Sequence, residues 1–171
     1  MFNLTDNGLF LGSLAQRKQP PANLSIVPVT DTVYHAFLAR CATSEITPDI
    51  ILFGLEEAQK ENACLRAHFP EVADIYWMAG RSGQGDEWFI SPTTGTVLFY
   101  DHDTGEYTSE GFTDLAVSFD SFLLLAQVLC QLEQFLDAAE PDLNALKTAF
   151  TKELDTIRSG LAGDYPYNYF D

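Results

Sequence analysis

The sequence predicts an α+β domain: an antiparallel β-sheet meander packed against helices, with N-terminal and C-terminal helices flanking the sheet. Four short runs rich in Ile, Val, Tyr, Phe and Trp follow one another: ADIYWMA (73–79), EWFIS (87–91), TVLFYD (96–101) and EYTSEGF (106–112). Glycine-bearing turns at 80–85, 92–95 and 102–105 separate them, the pattern of consecutive antiparallel strands. Behind them, FDSFLLLAQVLCQLEQFLDAA (119–139) is apolar on nearly every side, as a helix buried against that sheet must be.

Taken in order, residues 1–30 read as irregular, because Pro20, Pro21 and Pro28 interrupt them and no period is sustained. Thr30 or Asp31 caps a short helix with Val33, Phe37 and Leu38 on one side. DIILF (49–53) is a strand-like run behind Pro48, and Gly54 breaks it. A helix follows with Leu55, Ala58, Ala63 and Leu65 inward, Glu56, Lys60 and Arg66 outward, until Pro70 stops it. The sheet core spans about 73–112. Ser118 caps the long apolar helix, and Asp120 suits its first turn. Pro141 or Asp142 opens a last helix, in which Leu143, Leu146, Phe150, Leu154, Ile157 and Leu161 recur at helical spacing. The C-terminal helices thus cover about 119–161, and Gly160 and Gly163 close them. The tail DYPYNYFD carries too many aromatics for a solvated end and is expected to dock. Nothing divides the chain, so residues 1–171 form one domain.

Charge narrows the function. Nine Lys and Arg against 25 Asp and Glu give a net charge of −16. No Lys or Arg occurs between Arg81 and Lys147, an interval that holds twelve acidic residues. Direct nucleic-acid binding needs cations to replace phosphate counterions, so it is not expected. A basic protein partner is the complementary expectation, and solubility alone is the competing one. No run approaches the roughly eighteen apolar residues of a membrane span. The N-terminus shows no secretory-signal pattern. Cys41, Cys64 and Cys130 are odd in number and widely spaced, and read as buried free thiols in a reducing compartment. The expected location is the cytoplasm.

The stretch FYDHDTGEY (99–107) gathers carboxylates and an imidazole, yet each chemical template fails on it. Counted from Asp101, a calcium loop would place Gly105 at position 5, Glu106 at 6 and Phe112 at 12, none of them suitable. Zinc spacing is missing, because His35, His68 and His102 lie far apart and no C-x-x-C or H-E-x-x-H occurs. Asp101 and Asp103 flank an expected hairpin tip, where solvent keeps both ionised and neither serves as a general acid. GRSGQGD (80–86) leads into a strand, so the helix dipole of a phosphate loop is missing. No nucleophile elbow appears. No cofactor, metal site or catalytic residue is expected.

Four segments in order, IILFGLEE, GRSGQGDEWFI, TGTVLFYDHD and LAVSFDSFLL, carry a further signal. The Gly-rich turn ending at Asp86 before an aromatic strand involves Gly83, Gly85, Asp86, Trp88 and Phe89. A Gly-Val hairpin involves Gly95 and Val97, and a Ser-Phe-x-x-Phe-Leu helix opening involves Ser118, Phe119, Phe122 and Leu123. From about residue 49 to 125 this order resembles the SUKH superfamily, which includes bacterial immunity proteins against polymorphic toxins and fungal regulators of cell-wall glucan synthesis. The resemblance implies an immunity protein (antitoxin) that covers a basic toxin surface. The acidic and aromatic residues expected at that contact are Asp86, Trp88, Asp101, Asp103, Glu106, Tyr107 and Glu110. For Trp88 and Tyr107 a core position remains the alternative. The competing functional reading is a regulatory or scaffold module that binds a small ligand or a cellular protein in a sheet–helix groove. A hydrolase would require two carboxylates facing each other across a cleft, one of them buried.

Overall fold

The computed structural model describes residues 1–138 and 140–170. Ala139, at the end of the expected long helix, and Asp171, at the end of the tail, lie outside the described residues. Six strands form one sheet in sequence order: β1 (Ser44–Thr47), β2 (Ile50–Leu52), β3 (Trp77–Arg81), β4 (Glu87–Ile90), β5 (Thr96–Tyr100) and β6 (Phe112–Ser118). Every neighbouring pair is antiparallel, so the sheet is a simple meander. The described helices are α1 (Asn7–Ser13), α2 (Thr32–Arg40), α3 (Leu55–His68), α4 (Pro70–Ala73), α5 (Phe119–Leu136), α6 (Leu143–Ile157) and α7 (Leu161–Asp164). The α+β class expected from the aromatic runs is therefore the observed one.

Strand parity sets up the core. Successive strand residues face opposite sides of a sheet, yet Trp88 and Phe89 are both fully buried. Each face must therefore be covered. On one side Trp88 packs on Phe99 and on Phe122 of α5, both at 5.0 Å, and stacks on Tyr165 of the tail. On the other, Phe89 meets Tyr76, Phe112 and Tyr107, beneath α3 and the loop after β5. Burying side chains of this size contributes ~1.5–3 kcal/mol each, so this double layer of aromatics dominates stability. The helix α5 spans the sheet with buried residues at nine positions, from Phe119 to Leu132, and Ser118 caps it through the Ser121 N–H.

Several elements depart from the sequence reading. The first thirty residues contain α1, started by the Asp6 carboxylate, which accepts from the Gly8 N–H at 2.8 Å. The strand β1 is new: SEIT has little strand signature, but it pairs with β2 across the Pro48-Asp49 turn. Residues 73–76 are helical turn rather than strand, because Pro70 starts α4 and β3 begins only at Trp77. EYTSEGF is not a strand. It holds a 3₁₀ turn at Ser109–Gly111, and the sixth strand starts at Phe112, where apolar alternation begins with Leu115 and Val117 inward. Ala63 is exposed; Asn62 takes the inward place and exchanges two hydrogen bonds with the Met78 backbone at 2.8 and 2.9 Å. That exchange ties α3 to β3 on the edge where the short β2 has ended, while Met78 pairs with Phe89 of β4 on the other edge. Of the three thiols only Cys41 is buried; Cys130 is partly covered and Cys64 exposed.

Candidate functional site

The β5–β6 connection, residues 101–111, carries three exposed acids, Asp103, Glu106 and Glu110, and is held on a firm base. Asp101 caps its first 3₁₀ turn (His102–Thr104), accepting from the Asp103 N–H at 2.9 Å. Gly105, at φ 83°, takes the left-handed conformation that lets the chain reverse. The Tyr100 hydroxyl then donates to the Glu106 carbonyl at 2.7 Å and accepts from the Thr108 N–H at 3.2 Å. Tyr107 folds back as a plug, its ring 4.7 Å from Tyr100 and 4.8 Å from Phe69. At Gly111 a side chain would meet the Tyr100 ring at 2.4 Å, so only glycine allows the loop to lie this close. The result is an ordered platform with Asp103, Glu106 and Glu110 in solvent, Asp101 half-buried at its edge and Asp114 exposed on β6.

Not all expected contact residues sit on that platform. Trp88 is core, with its Nε1–H donating to the Asp49 carbonyl at 2.7 Å, and offers no surface. Tyr107 is half-buried, and its hydroxyl donates to Glu87 at 2.6 Å. Asp86 is only 4% exposed. It is a junction: its carboxylate accepts from the His102 N–H at 3.1 Å, His102 Nδ1 at 2.6 Å, the Ser82 hydroxyl at 3.2 Å and the Tyr167 hydroxyl at 2.5 Å. The β3–β4 turn, the acidic loop and the tail thus meet on one side chain. Burial pushes the Asp86 carboxyl up, but the hydrogen bonds from His102 and Tyr167 outweigh it and hold it below the usual range. His102 is raised in turn, first by its hydrogen bond to Asp86 and then by the charge of Asp103, whose carboxylate lies 3.2 Å from Nε2.

Asp86, Asp101 and His102 bring one metal-ligating atom each within 4.8 Å of one another, the single such group among the described residues. Both Asp86 oxygens already hold donors and both His102 nitrogens face carboxylates, so these atoms are already engaged with one another. The tail docks as expected, through hydroxyls: Tyr165 donates to Asp49 at 3.2 Å and Tyr169 also bonds that carboxylate.

Glu87 escaped the sequence reading. It is one residue from Asp86 and shares the sheet face of Phe89, where an acid at an inward strand position is the signal that parity offers. Burial pushes its carboxyl above the usual range, the Tyr107 hydrogen bond opposes that, and the charges of Glu61 and Asp86 add to it. Glu87, Tyr107 and Phe69 together line two small cavities. One of about 300 Å³ opens toward Glu61, Cys64 and His68 of α3; the other, about 250 Å³, opens toward Glu106 and His102. A larger concavity, about 1090 Å³, lies elsewhere, between residues 16–23 and the start of α3, where Arg17 pairs with Glu56 at 2.6 Å.

Compared with protein-family models, curated proteins and solved structures, the chain gives no match. No helix among the described residues is long and apolar enough to cross a membrane.

Proposed function

We propose that the chain is a non-enzymatic binding protein, an immunity protein of the SUKH kind, which acts in the cytoplasm and neutralises a polymorphic bacterial toxin through an acidic surface. The observation that carries this reading is the ordered loop 101–111: it presents Asp103, Glu106 and Glu110 to solvent, in an interval of sequence without Lys or Arg. A surface of that kind attracts a basic partner and speeds encounter, and its fixed backbone lowers the entropy lost on binding. Asp86 and Trp88 leave the list of contacts and become the support beneath them; Asp101 and Tyr107 stand at its edge. Co-expression with the polypeptide encoded beside its gene tests the reading. Survival of cells that carry both, and killing when the loop acids are reversed in charge, is the expected result; killing despite abundant folded wild-type protein would overturn it.

The alternative, a module that takes a small ligand or a cellular protein in a sheet–helix groove, draws on the cleft between α3 and β4, with Glu87 at its floor. Occupancy of that cleft by a metabolite that co-purifies with the protein would favour it.

A further inference from the structure

We propose that the paired cavities flanking Tyr107 form a socket for an arginine side chain of the protein partner, with the Glu87 carboxylate as its floor. The inference rests on the binding reading above and names the residue that anchors it. The Glu87 side chain takes one hydrogen bond among the described residues, from the Tyr107 hydroxyl to Oε2 at 2.6 Å, and Glu87 lines both cavities. No Lys or Arg lines either cavity; the basic side chains there are the imidazoles of His68 in one and His102 in the other. The walls are aromatic: Phe69 and Tyr107 meet edge to face at 4.8 Å, with Tyr100 behind. Acids stand at both mouths, Glu61 on one side and Glu106 on the other.

A guanidinium meets these features together. Its planar fork bonds a carboxylate with two parallel donors, and its face stacks on an aromatic ring. An ammonium offers neither the plane nor the fork, so lysine fits less well. Burial and the charges of Glu61 and Asp86 push the Glu87 carboxyl up, against the Tyr107 hydrogen bond and the charge of His102; a guest cation adds to the opposing side. The cavities adjoin the acidic loop, so an arginine seated there places the partner's basic surface against Asp103, Glu106 and Glu110.

The test is an NMR titration of the full chain with N-acetyl-arginine amide, beside its lysine and citrulline counterparts. Saturable shifts centred on Phe69, Glu87 and Tyr107 are expected, weaker with lysine and absent with citrulline. Glu87→Gln keeps an acceptor for the Tyr107 hydroxyl and is expected to weaken arginine binding about tenfold. Equal binding by Glu87→Gln, or shifts spread evenly over the loop acids, would overturn the socket. If that variant fails to fold, the wild-type Glu87 carboxyl is titrated with and without the arginine derivative; its pKa falls on saturation, and an unchanged value overturns the proposal. Toxin neutralisation unaffected by Glu87→Gln but lost on reversing the loop acids would refute the socket alone. Arginine bound at Glu87 without neutralisation by the wild type would refute the immunity reading and mark the cleft as a receptor for a free guanidinium compound.

Discussion

Asp86 and Glu87 are consecutive residues at the start of one strand, and their surroundings are opposite. Asp86 points to the side where the tail and the acidic loop converge, and four donors from Ser82, His102 and Tyr167 satisfy it. Glu87 points to the α3 side, where one phenol reaches it and a cleft lies open. The first carboxyl is held below its ordinary range and the second above it. A buried charge is tolerable when donors replace its lost hydration, and is a standing cost when they do not. The pair shows how one strand end supplies both a structural fastener and a surface still seeking a counter-charge.

Breaking the fastener has the largest expected effect. Asp86→Ala removes the common acceptor of three elements and costs about 3 kcal/mol, measured by urea unfolding. Amide exchange in 101–111 and in the tail then rises, while the β4–β5 pairing stays protected. Tyr167→Phe cuts a single strand of the same junction and costs about 1 kcal/mol. Glu87→Gln, by contrast, changes stability by less than about 1 kcal/mol near neutrality, because the amide still accepts from Tyr107. Its signature is pH dependence. A raised Glu87 carboxyl contributes stability that is full below the unfolded carboxyl range and is lost as pH rises through the folded value; Glu87→Gln abolishes that decline. A depressed Asp86 contributes stability that is present above the unfolded range and is lost as pH falls through the folded value, so Asp86→Asn flattens the acid side. His102, raised, adds stability below its unfolded range that fades as pH rises through the folded one. Smallest of all, Asp103→Lys, Glu106→Lys and Glu110→Lys each shift stability by no more than about 0.5 kcal/mol, since all three are solvated.

Local chemistry made much of the fold legible. Ser118 before a continuous apolar run announced α5, and Trp-Phe-Ile between two glycine-bearing turns announced the strand β4. Trp88, expected at the contact with core as the alternative, takes the core position, packed on Phe122 and Tyr165. What escaped detection depends on distant partners. Asp86 looks like a turn acid in sequence, and only the approach of His102, sixteen residues away, and Tyr167, 81 residues away, buries it. Residues 106–112 were read as a strand on their aromatics, but Tyr107 spends its ring plugging the loop onto Phe69. The alternate tyrosines at 165, 167 and 169 hinted at docking, while their acceptors, Asp49 and Asp86, could be found only in three dimensions.

The central claim is that the loop acids on this platform engage a basic partner. Isothermal titration of the protein with the purified product of the neighbouring gene, at low and high salt, tests it most directly when repeated with the Asp103→Lys, Glu106→Lys, Glu110→Lys triple variant. The account predicts tight binding by the wild type that weakens as salt rises, and at least about a hundredfold loss in the folded triple variant. Equal affinity of the two proteins at low salt would contradict it.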